Sequence, residues 1–275
     1  MWPTVVSVTA ETIPSYGSGM RTITSYADVT AVLSDARFDV PPLPPSSGPM
    51  VGIDWLRAHV ARFSTGTVHT RRRALATAEL DRMDLAALRR RAQQLAADRP
   101  SAAVPVVALA EALSAAPAAA DVAVVAGGYH PGTGTGPHLD VAVSRLVDVF
   151  GGIPDEATAA RIGLLVQAYS ATAGLIDKAR PHRRCGAPVD AVLLETLRHD
   201  PPVRTTRRVS VADGAEVLLD LATANRDPRV FAEPDEFDPA RPDRDRHLTF
   251  GAGPRQCPGR AHALAIAAGV LDVED

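Results

Sequence analysis

The sequence predicts a mainly α-helical fold with a small β-sheet, in a single domain over residues 1–275. Three observations support this prediction. Alanine- and leucine-rich stretches with few helix breakers recur along the chain, one apolar stretch runs unbroken from residue 156 to 180, and only two short segments have strand character. Because the long stretch is apolar on most faces, its helix is expected to run through the centre of a compact fold.

The first half of the chain predicts several short helices. Residues 25–34 begin with Ser25, a suitable N-cap, and continue with an apolar stripe at helical spacing. Residues 70–97 are rich in charge, alanine and leucine, which predicts a helix with one break near Met83. Residues 104–126 are rich in alanine and valine and are predicted to form one or two small buried helices.

The second half predicts the long helix, a second helix, two strands and a last helix. Pro154, Asp155 and Glu156 begin the long helix, since proline suits a first turn and acids favour the positive end of the dipole. The second helix, "VDAVLLETLRHD", stops before Pro201. The strand candidates are "RRVSV" and "EVLLDLA", and the last helix is "RAHALAIAAGVLDV".

Two segments predict loops. "PPLPPSSGP" at residues 41–49 lacks the amide donors that a helix or a central strand needs. "GGYHPGTGTGPH" at residues 127–138 consists mostly of glycine, proline and threonine, and we expect it to be mobile.

Composition excludes several classes of function. A formal net charge of −3 argues against general binding to nucleic acid or to anionic membranes. The N-terminal stretch lacks the basic and apolar blocks of a signal peptide, and no run of about 18 uncharged apolar residues predicts a membrane span. Two cysteines give no disulfide framework. We therefore expect a cytoplasmic protein.

The stretch "HLTFGAGPRQCPGR", residues 247–260, surrounds Cys257 with glycines, prolines and arginines. A thiolate is a soft ligand for iron, and glycines let the backbone approach a metal closely. Arg255 and His247 suit a carboxylate partner such as a haem propionate. The stretch thus fits a haem with a cysteine thiolate ligand. The residues alone leave open a buried, inert cysteine in a glycine-rich turn.

This stretch and four other motifs resemble the cytochrome P450 family. "FGAGPRQCPG" resembles the family's haem-binding signature, "ETLR" its Glu-x-x-Arg helix motif and "HTRRR" a helix motif that reaches a haem propionate. "PVRTTRRVSVAD" resembles the strand that carries a propionate arginine, and "ANRDPRVFAEPDEFDPARP" the segment that completes the ion cluster of Glu-x-x-Arg. The five motifs follow the family's order over residues 69–260.

The resemblance implies roles for individual residues. Cys257 would be the proximal iron ligand of heme b (iron protoporphyrin IX). Glu195, Arg198 and Arg241 would form a structural lock for folding and haem retention rather than catalysis. Arg207 competes with Arg208 for a propionate, and the register favours Arg208. The implied cofactor-binding residues are His69, Arg73, Ala168, Arg208, His247, Phe250, Gly251, Arg255 and Gly259.

The long helix departs from the family pattern, which places an acid and a threonine at the oxygen-activation site. In "VQAYSATAGL", one register puts Ser170 at the acid position and Ala171 at the threonine, and the other puts Ala171 and Thr172 there. Neither register supplies a carboxylate, so Ser170 and Thr172 are the catalytic candidates, able to relay protons through water. The lid helices and C-terminal strands of the family are predicted to be reduced.

The resemblance implies a haem-thiolate monooxygenase of secondary metabolism. It would oxidise a small-molecule or carrier-bound natural-product intermediate with dioxygen and electrons from a ferredoxin partner. The small lid predicts an open distal face, for which two alternatives stay open: the substrate is large and carrier-bound, or a second chain in a homodimer covers the opening. Arg244, Arg246 and Arg260 would form a docking patch for the ferredoxin partner. The alternative is that they lie on a merely solvated loop. The missing acid leaves an oxygen-independent haem-thiolate enzyme open (peroxide-driven, dehydratase or isomerase, or nitrogen-transfer). The reduced lid leaves a non-catalytic haem-binding protein open.

Overall fold

The structure, a computed structural model, describes residues 20–46, 48–116 and 118–274. The predicted absence of a signal peptide concerns an N-terminal stretch that lies outside these residues. The described helices are α1 (Tyr26–Ser34), α2 (Ile53–His59), α3 (Gly66–Leu80), α4 (Leu85–Ala96), α5 (Val104–Ala112), α6 (Ala119–Gly127), α7 (Pro137–Val149), α8 (Glu156–Ala179), α9 (Val189–His199), α10 (Leu221–Ala224) and α11 (Arg260–Leu271). The described strands are β1 (Arg21–Ile23), β2 (Phe38–Asp39), β3 (Thr205–Ser210) and β4 (Glu216–Asp220).

The predicted fold class is confirmed: the described chain is mostly helical with one small mixed sheet. The long helix is α8, and the Asp155 carboxylate caps it by accepting the N–H of Thr158 at 2.8 Å. The break expected near Met83 separates α3 from α4, because Asp84 starts a new helix by accepting the N–H groups of Ala86 and Ala87.

The described residues fall into two compact units. The first unit comprises residues 42–173 and 261–274, and the second comprises residues 20–41 and 174–260. The prediction of one domain over the whole chain stays a prediction.

The second unit contains the sheet, whose strand order is β1-β4-β3-β2. β1 runs parallel to β4, whereas β3 is antiparallel to both β4 and β2. One face of this sheet and helix α1 enclose an apolar cluster of Ile23, Val29, Val32, Leu33, Val217, Leu219, Leu221, Ala224 and Leu248. The cluster supports the segment that leads to Cys257, because Leu248 belongs to it and Ala252 packs against it.

The first unit is helical. Helix α4 packs against α5, α5 against α6, α6 against α7, and α2 against α7. In the first unit a buried arginine, Arg57, donates hydrogen bonds to the loop between α6 and α7, and the mobility of this loop stays a prediction.

One stretch, Glu156–Cys185, is long and apolar enough to cross a membrane by length and composition alone. Its most apolar window has a mean hydropathy of 1.2, and 56% of that window is buried. The core helix of a globular protein passes the same test, so the stretch is weak evidence for a membrane span.

Candidate functional site

The loop before Cys257 is a series of tight turns in the second unit. The N–H of Gly251 donates to Leu248 O at 2.7 Å, and the N–H of Cys257 donates to Phe250 O at 2.8 Å. Gly251 and Gly253 adopt φ angles of +72° and +65°, a region that costs other residues free energy. These turns leave the Cys257 side chain exposed, so its sulfur is accessible to a metal.

Gly253 fixes the loop against the end of α1. A Cβ atom at this position would lie 2.8 Å from the carbonyl oxygen of Leu33 and 2.9 Å from the Cα of Ser34. Both the positive φ and the close approach of the backbone therefore require glycine here.

A buried side chain that the sequence interpretation missed ties the loop to α9. The side-chain oxygen Oδ1 of Asn225 accepts the N–H of Leu248 at 2.7 Å. Its side-chain Nδ2 donates to Thr249 Oγ1 at 2.9 Å and to Leu197 O at 3.3 Å. Asn225 is fully buried. It is also the only asparagine in the sequence, which is a signal that could have marked it.

The "ETLR" residues form a buried ion cluster, as the resemblance implied. Arg198 makes two bonds to Glu195, of 2.6 and 2.9 Å, and Arg241 donates to Glu195 at 3.3 Å. The remaining arginine donors go to backbone carbonyls of the segment 225–236. Buried charges need this full pairing. The cluster therefore fixes the segment that carries Asn225.

His247 is buried at the base of the loop, 5% exposed. Its Nδ1 lies 3.3 Å from the N–H of Thr249 as an acceptor, whereas its Nε2 has no hydrogen-bond partner among the described residues. Burial, and secondarily the charge of Arg260, lower the pKa of His247 to about 3. The ring is therefore neutral near pH 7, with its proton on Nε2. It offers a hydrogen-bond donor.

The two candidate arginines of β3 lie on opposite faces of the sheet, because side chains alternate along a strand. Arg208 is paired in register with Val217, on the face that encloses the apolar cluster, and it is 7% exposed. Arg207 lies on the other face, where it bonds Glu216 at 3.3 Å. The arrangement favours Arg208 as the residue that shares a face with the loop.

Arg255 is held by a carboxylate. Its guanidinium forms an ion pair with Asp39 of β2, and its side chain is 14% exposed. Sequence interpretation did not predict Asp39, because a two-residue strand has no detectable pattern.

His69 and Arg73 lie four residues apart on α3 in the first unit, so they share one face of the helix. Both are partly buried. The other two arginines of "HTRRR" have a different role: Arg71 and Arg72 bind Glu156 at 2.7 and 2.8 Å. These bonds hold the pKa of Glu156 down at about 2.

Helix α8 places the two catalytic candidates on different faces. Ser170 is exposed and Ala168 is partly buried, whereas Thr172 is only 3% exposed. Two residues along a helix are about 160° apart at 3.6 residues per turn. Ser170 and Thr172 therefore do not face the same space, and the accessible one is Ser170.

The three arginines near the loop differ in their partners. Arg260 pairs with Asp245, and Arg244 is turned toward the carbonyl oxygen of Arg241. Arg246 is exposed, with its guanidinium 5.8 Å from the ring of Tyr26. A carboxylate thus compensates the charge of Arg260, and the docking patch and the solvated loop both stay predictions.

Comparison with known proteins agrees with these observations. Residues 188–267 match the family model described as Cytochrome P450. Cytochrome P450 family protein EryCII of Saccharopolyspora erythraea is 37% identical over 122 residues, which is 41% of this chain and 32% of the relative. Cytochrome P-450 monooxygenase DoxA of Streptomyces sp. strain C5 is 40% identical over 85 residues, which is 27% of this chain and 20% of the relative.

Two solved structures share the fold. The thermophilic cytochrome P450 from Sulfolobus tokodaii has a TM-score of 0.75 and 22% identity, covering 96% of this chain and 88% of its own. P450BioI, in complex with an acyl carrier protein ligated with hexadec-9Z-enoic acid, has a TM-score of 0.63 and 20% identity, covering 92% of this chain and 83% of its own.

The described chain has the fold of cytochrome P450 structures. The family match over residues 188–267 and the curated relatives support a member of the cytochrome P450 family. The chain spans less than a third of the length of the curated relatives that it matches.

The family implies a haem iron, and the residues of the second unit fit one. Among the described residues no three His, Cys, Asp or Glu side chains group as metal ligands, and a haem iron needs only one protein thiolate. Cys257 provides an accessible thiol. The buried Nε2 of His247 lacks the acceptor that a carboxylate would supply.

Proposed function

We propose that this chain is a haem-thiolate oxidoreductase that binds heme b. The observation that carries the proposal is the exposed Cys257 on a loop that Gly253 and Asn225 fix to the second unit. When bound, the haem would supply a redox-active iron for the oxidation of a substrate C–H bond by dioxygen. The chain's own residues would hold the haem, exclude water and move protons.

In this proposal Cys257 is the iron ligand. The backbone N–H groups of the loop and the start of α11 three residues later would favour its thiolate form. Phe250, Gly251 and Gly259 would shape the surface that meets the porphyrin.

Five residues would hold the propionates. Arg208 and Arg255 would supply charge, and the neutral His247 would donate a hydrogen bond from Nε2. His69 and Arg73 would add a donor and a charge from α3. Ala168 would leave room beside the haem.

Ser170 is our choice for the residue that relays protons to the reacting oxygen. Its exposure supports the register in which it takes the acid position of the family. Thr172 is the candidate of the register that places it at the family's threonine position. Its burial does not support that register.

The substrate in this proposal is a small-molecule or carrier-bound intermediate of natural-product biosynthesis. The carrier-bound form is supported by the complex of P450BioI with an acyl carrier protein, a structure that shares this fold. Electrons would come from a ferredoxin-type partner in the cytoplasm, and the protein would act as a homodimer. Neither nucleic acid nor a membrane is proposed as a partner.

The absence of a carboxylate in residues 167–172 favours a second candidate, an oxygen-independent haem-thiolate enzyme. General acid catalysis needs a proton donor within hydrogen-bond reach, and serine is a poor acid. Turnover with peroxide, or without dioxygen and reductant, would support this candidate.

The carbon monoxide difference spectrum of the reduced protein tests the proposal. We expect the Soret shift of thiolate ligation, lost in Cys257→Ala and kept in the control Cys185→Ala, which changes the other exposed cysteine. A histidine-type spectrum or no haem binding would refute haem-thiolate chemistry and favour a non-catalytic binding protein.

A further inference from the structure

Arg57 of α2 is a buried charge that organises the loop between α6 and α7. It is 2% exposed. Its Nη2 shares two N–H groups among the carbonyl oxygens of Gly128, His130 and Gly134 at 2.5 to 3.1 Å, and its Nε donates to Tyr129 O at 3.2 Å. One side chain therefore satisfies four carbonyls of loop 128–134.

The position of this loop depends on Arg57, because its buried carbonyls need donors and the loop contains no helix or strand. The Asp54 carboxylate accepts from Arg57 Nη1 at 3.0 Å and compensates the buried charge. The planar guanidinium carries five donors in a fixed geometry, whereas a lysine carries three on one atom. Lysine would therefore restore only part of the network.

Loop 128–134 carries Tyr129, which packs into the first unit. Tyr129 is 2% exposed, and its ring lies 5.2 Å from that of Phe63. A Cβ atom on Gly163 of α8 would lie 3.8 Å from the Tyr129 hydroxyl and 3.1 Å from Val60 Cγ1. Tyr129 and Val60 thus cover α8 at Gly163.

On the same face of α8, the residues one and two turns after Gly163 are exposed to solvent. Gln167 and Ser170 follow Gly163 at i+4 and i+7, and both are exposed. The Gln167 amide donates to Gly163 O at 2.9 Å, so its side chain lies back toward the covered position. The face that carries Ser170 therefore ends at a wall made by Tyr129.

We propose that Arg57 is a positioning residue that fixes loop 128–134 as the wall of this α8 face, and so limits the size of ligand that reaches it. The proposal rests on the proposed function in one respect: Ser170 marks the face where substrate is oxidised. Arg57 acts through Tyr129 and touches no substrate itself.

The first experiment measures hydrogen–deuterium exchange of loop 128–134 in the full chain, with Arg57→Ala, Arg57→Lys and a control. The control is Arg90→Ala, which removes an exposed arginine on α4. Loss of hydrogen bonds to a charged donor should speed exchange about tenfold or more in Arg57→Ala. Arg57→Lys should be intermediate, and Arg90→Ala should match the unchanged protein.

The second experiment measures access to the α8 face without any haem. In a chain carrying Gln167→Cys, the rates of alkylation at position 167 by iodoacetamide and by a bulky maleimide are compared by peptide mass spectrometry, which separates this thiol from Cys185 and Cys257. Adding Arg57→Ala should raise the rate with the maleimide about tenfold and leave the rate with iodoacetamide within about twofold.

The outcomes separate the two proposals. Unchanged exchange of the loop in a folded Arg57 variant would overturn the anchoring role. Faster exchange with an unchanged ratio of the two alkylation rates would overturn the limit on ligand size. Should Arg57→Ala fail to fold, Arg57→Lys decides both points. A missing thiolate spectrum in the unchanged protein would refute the haem-thiolate function alone, because neither experiment uses haem.

Discussion

The side-chain oxygen of Asn225 accepts the backbone N–H of Leu248 at 2.7 Å, and this bond connects the buried ion cluster of α9 to the base of the cysteine loop. Arg198 of that cluster donates to the carbonyl oxygen of Asn225 itself, at 3.2 Å. Asn225 is thus bonded to Arg198 through its backbone carbonyl and to the segment that leads to Cys257 through its side chain. The loop's geometry depends on polar bonds at its base as well as on its glycines.

Asn225→Ala should destabilise the second unit and weaken haem retention. The buried Leu248 N–H would lose its acceptor and Thr249 Oγ1 its donor, whereas Leu197 O keeps the bond from the Thr249 hydroxyl, so we expect the free energy of unfolding to fall by about 2–4 kcal/mol. Urea denaturation of the haem-free protein measures this, and transfer of haem to apomyoglobin measures retention. Gln93→Ala, an exposed amide on α4, is the control. Equal loss of stability in both variants would contradict the role of Asn225.

Sequence patterns predicted the elements that have a local signal. Ser25 caps α1 and Asp155 caps α8, and both helices begin where the residues indicated. Helix α7 was missed although Pro137 begins it and Leu139, Ala142, Val143 and Leu146 give it a buried stripe at helical spacing. The sequence therefore carries a signal for α7 that the interpretation overlooked.

Other features have no local signal. β1 and β2 are three and two residues long and form only by pairing with distant β4 and β3. The pairing of Arg255 with Asp39 and the clasp of Arg57 around loop 128–134 likewise join residues far apart in sequence. Tertiary packing decides such contacts, and one sequence does not reveal them.

Gly253→Ala should be among the most damaging glycine substitutions in the loop. It combines a positive φ with a Cβ placed 2.8 Å from Leu33 O, so we expect a loss of about 2–4 kcal/mol. Gly214→Ala is the matched control, because Gly214 has a φ of +71° but open space around its Cβ. That control should cost only about 1 kcal/mol. Similar losses in thermal unfolding would show that contact with α1 is unimportant.

Glu195→Gln should strongly destabilise the second unit. Glu195 is fully buried between Arg198 and Arg241, so the substitution removes the counter-charge of Arg198 and leaves Arg241 with Asp243 at 3.8 Å, at a cost of about 3–5 kcal/mol. Glu216→Gln breaks an ion pair with Arg207 in which Glu216 is 38% exposed, and it should cost at most about 1 kcal/mol. Denaturant midpoints compare the two. A mild effect of Glu195→Gln would mean that the ion cluster is not a structural lock.

The ion pairs of Glu156 should make stability depend on pH in the acid range. The folded pKa, about 2, lies below the ordinary value of 4.5, so the stabilisation is present above pH 4.5, shrinks below it and is lost as pH falls through 2. Glu156→Gln should therefore lower stability by about 1 kcal/mol at pH 7 and by clearly less as pH approaches 2. The measurement is the difference in unfolding free energy between variant and unchanged protein across this range. Asp98→Asn, an exposed carboxylate after α4, should show no such convergence.

The exposures of Ser170 and Thr172 predict which of them relays protons. Ser170→Ala should lower the rate of dioxygen consumption, measured with a surrogate ferredoxin and reductase, by about tenfold or more, since a positioned proton donor contributes at least that much. Thr172→Val keeps the volume of a side chain that is 3% exposed, so the rate per haem should stay within about twofold. Thermal unfolding and haem content of both variants separate loss of rate from loss of folding. If Thr172→Val loses the rate and Ser170→Ala keeps it, the other register of α8 is correct. If neither changes the rate, proton delivery does not pass through α8, and the oxygen-independent candidate gains support.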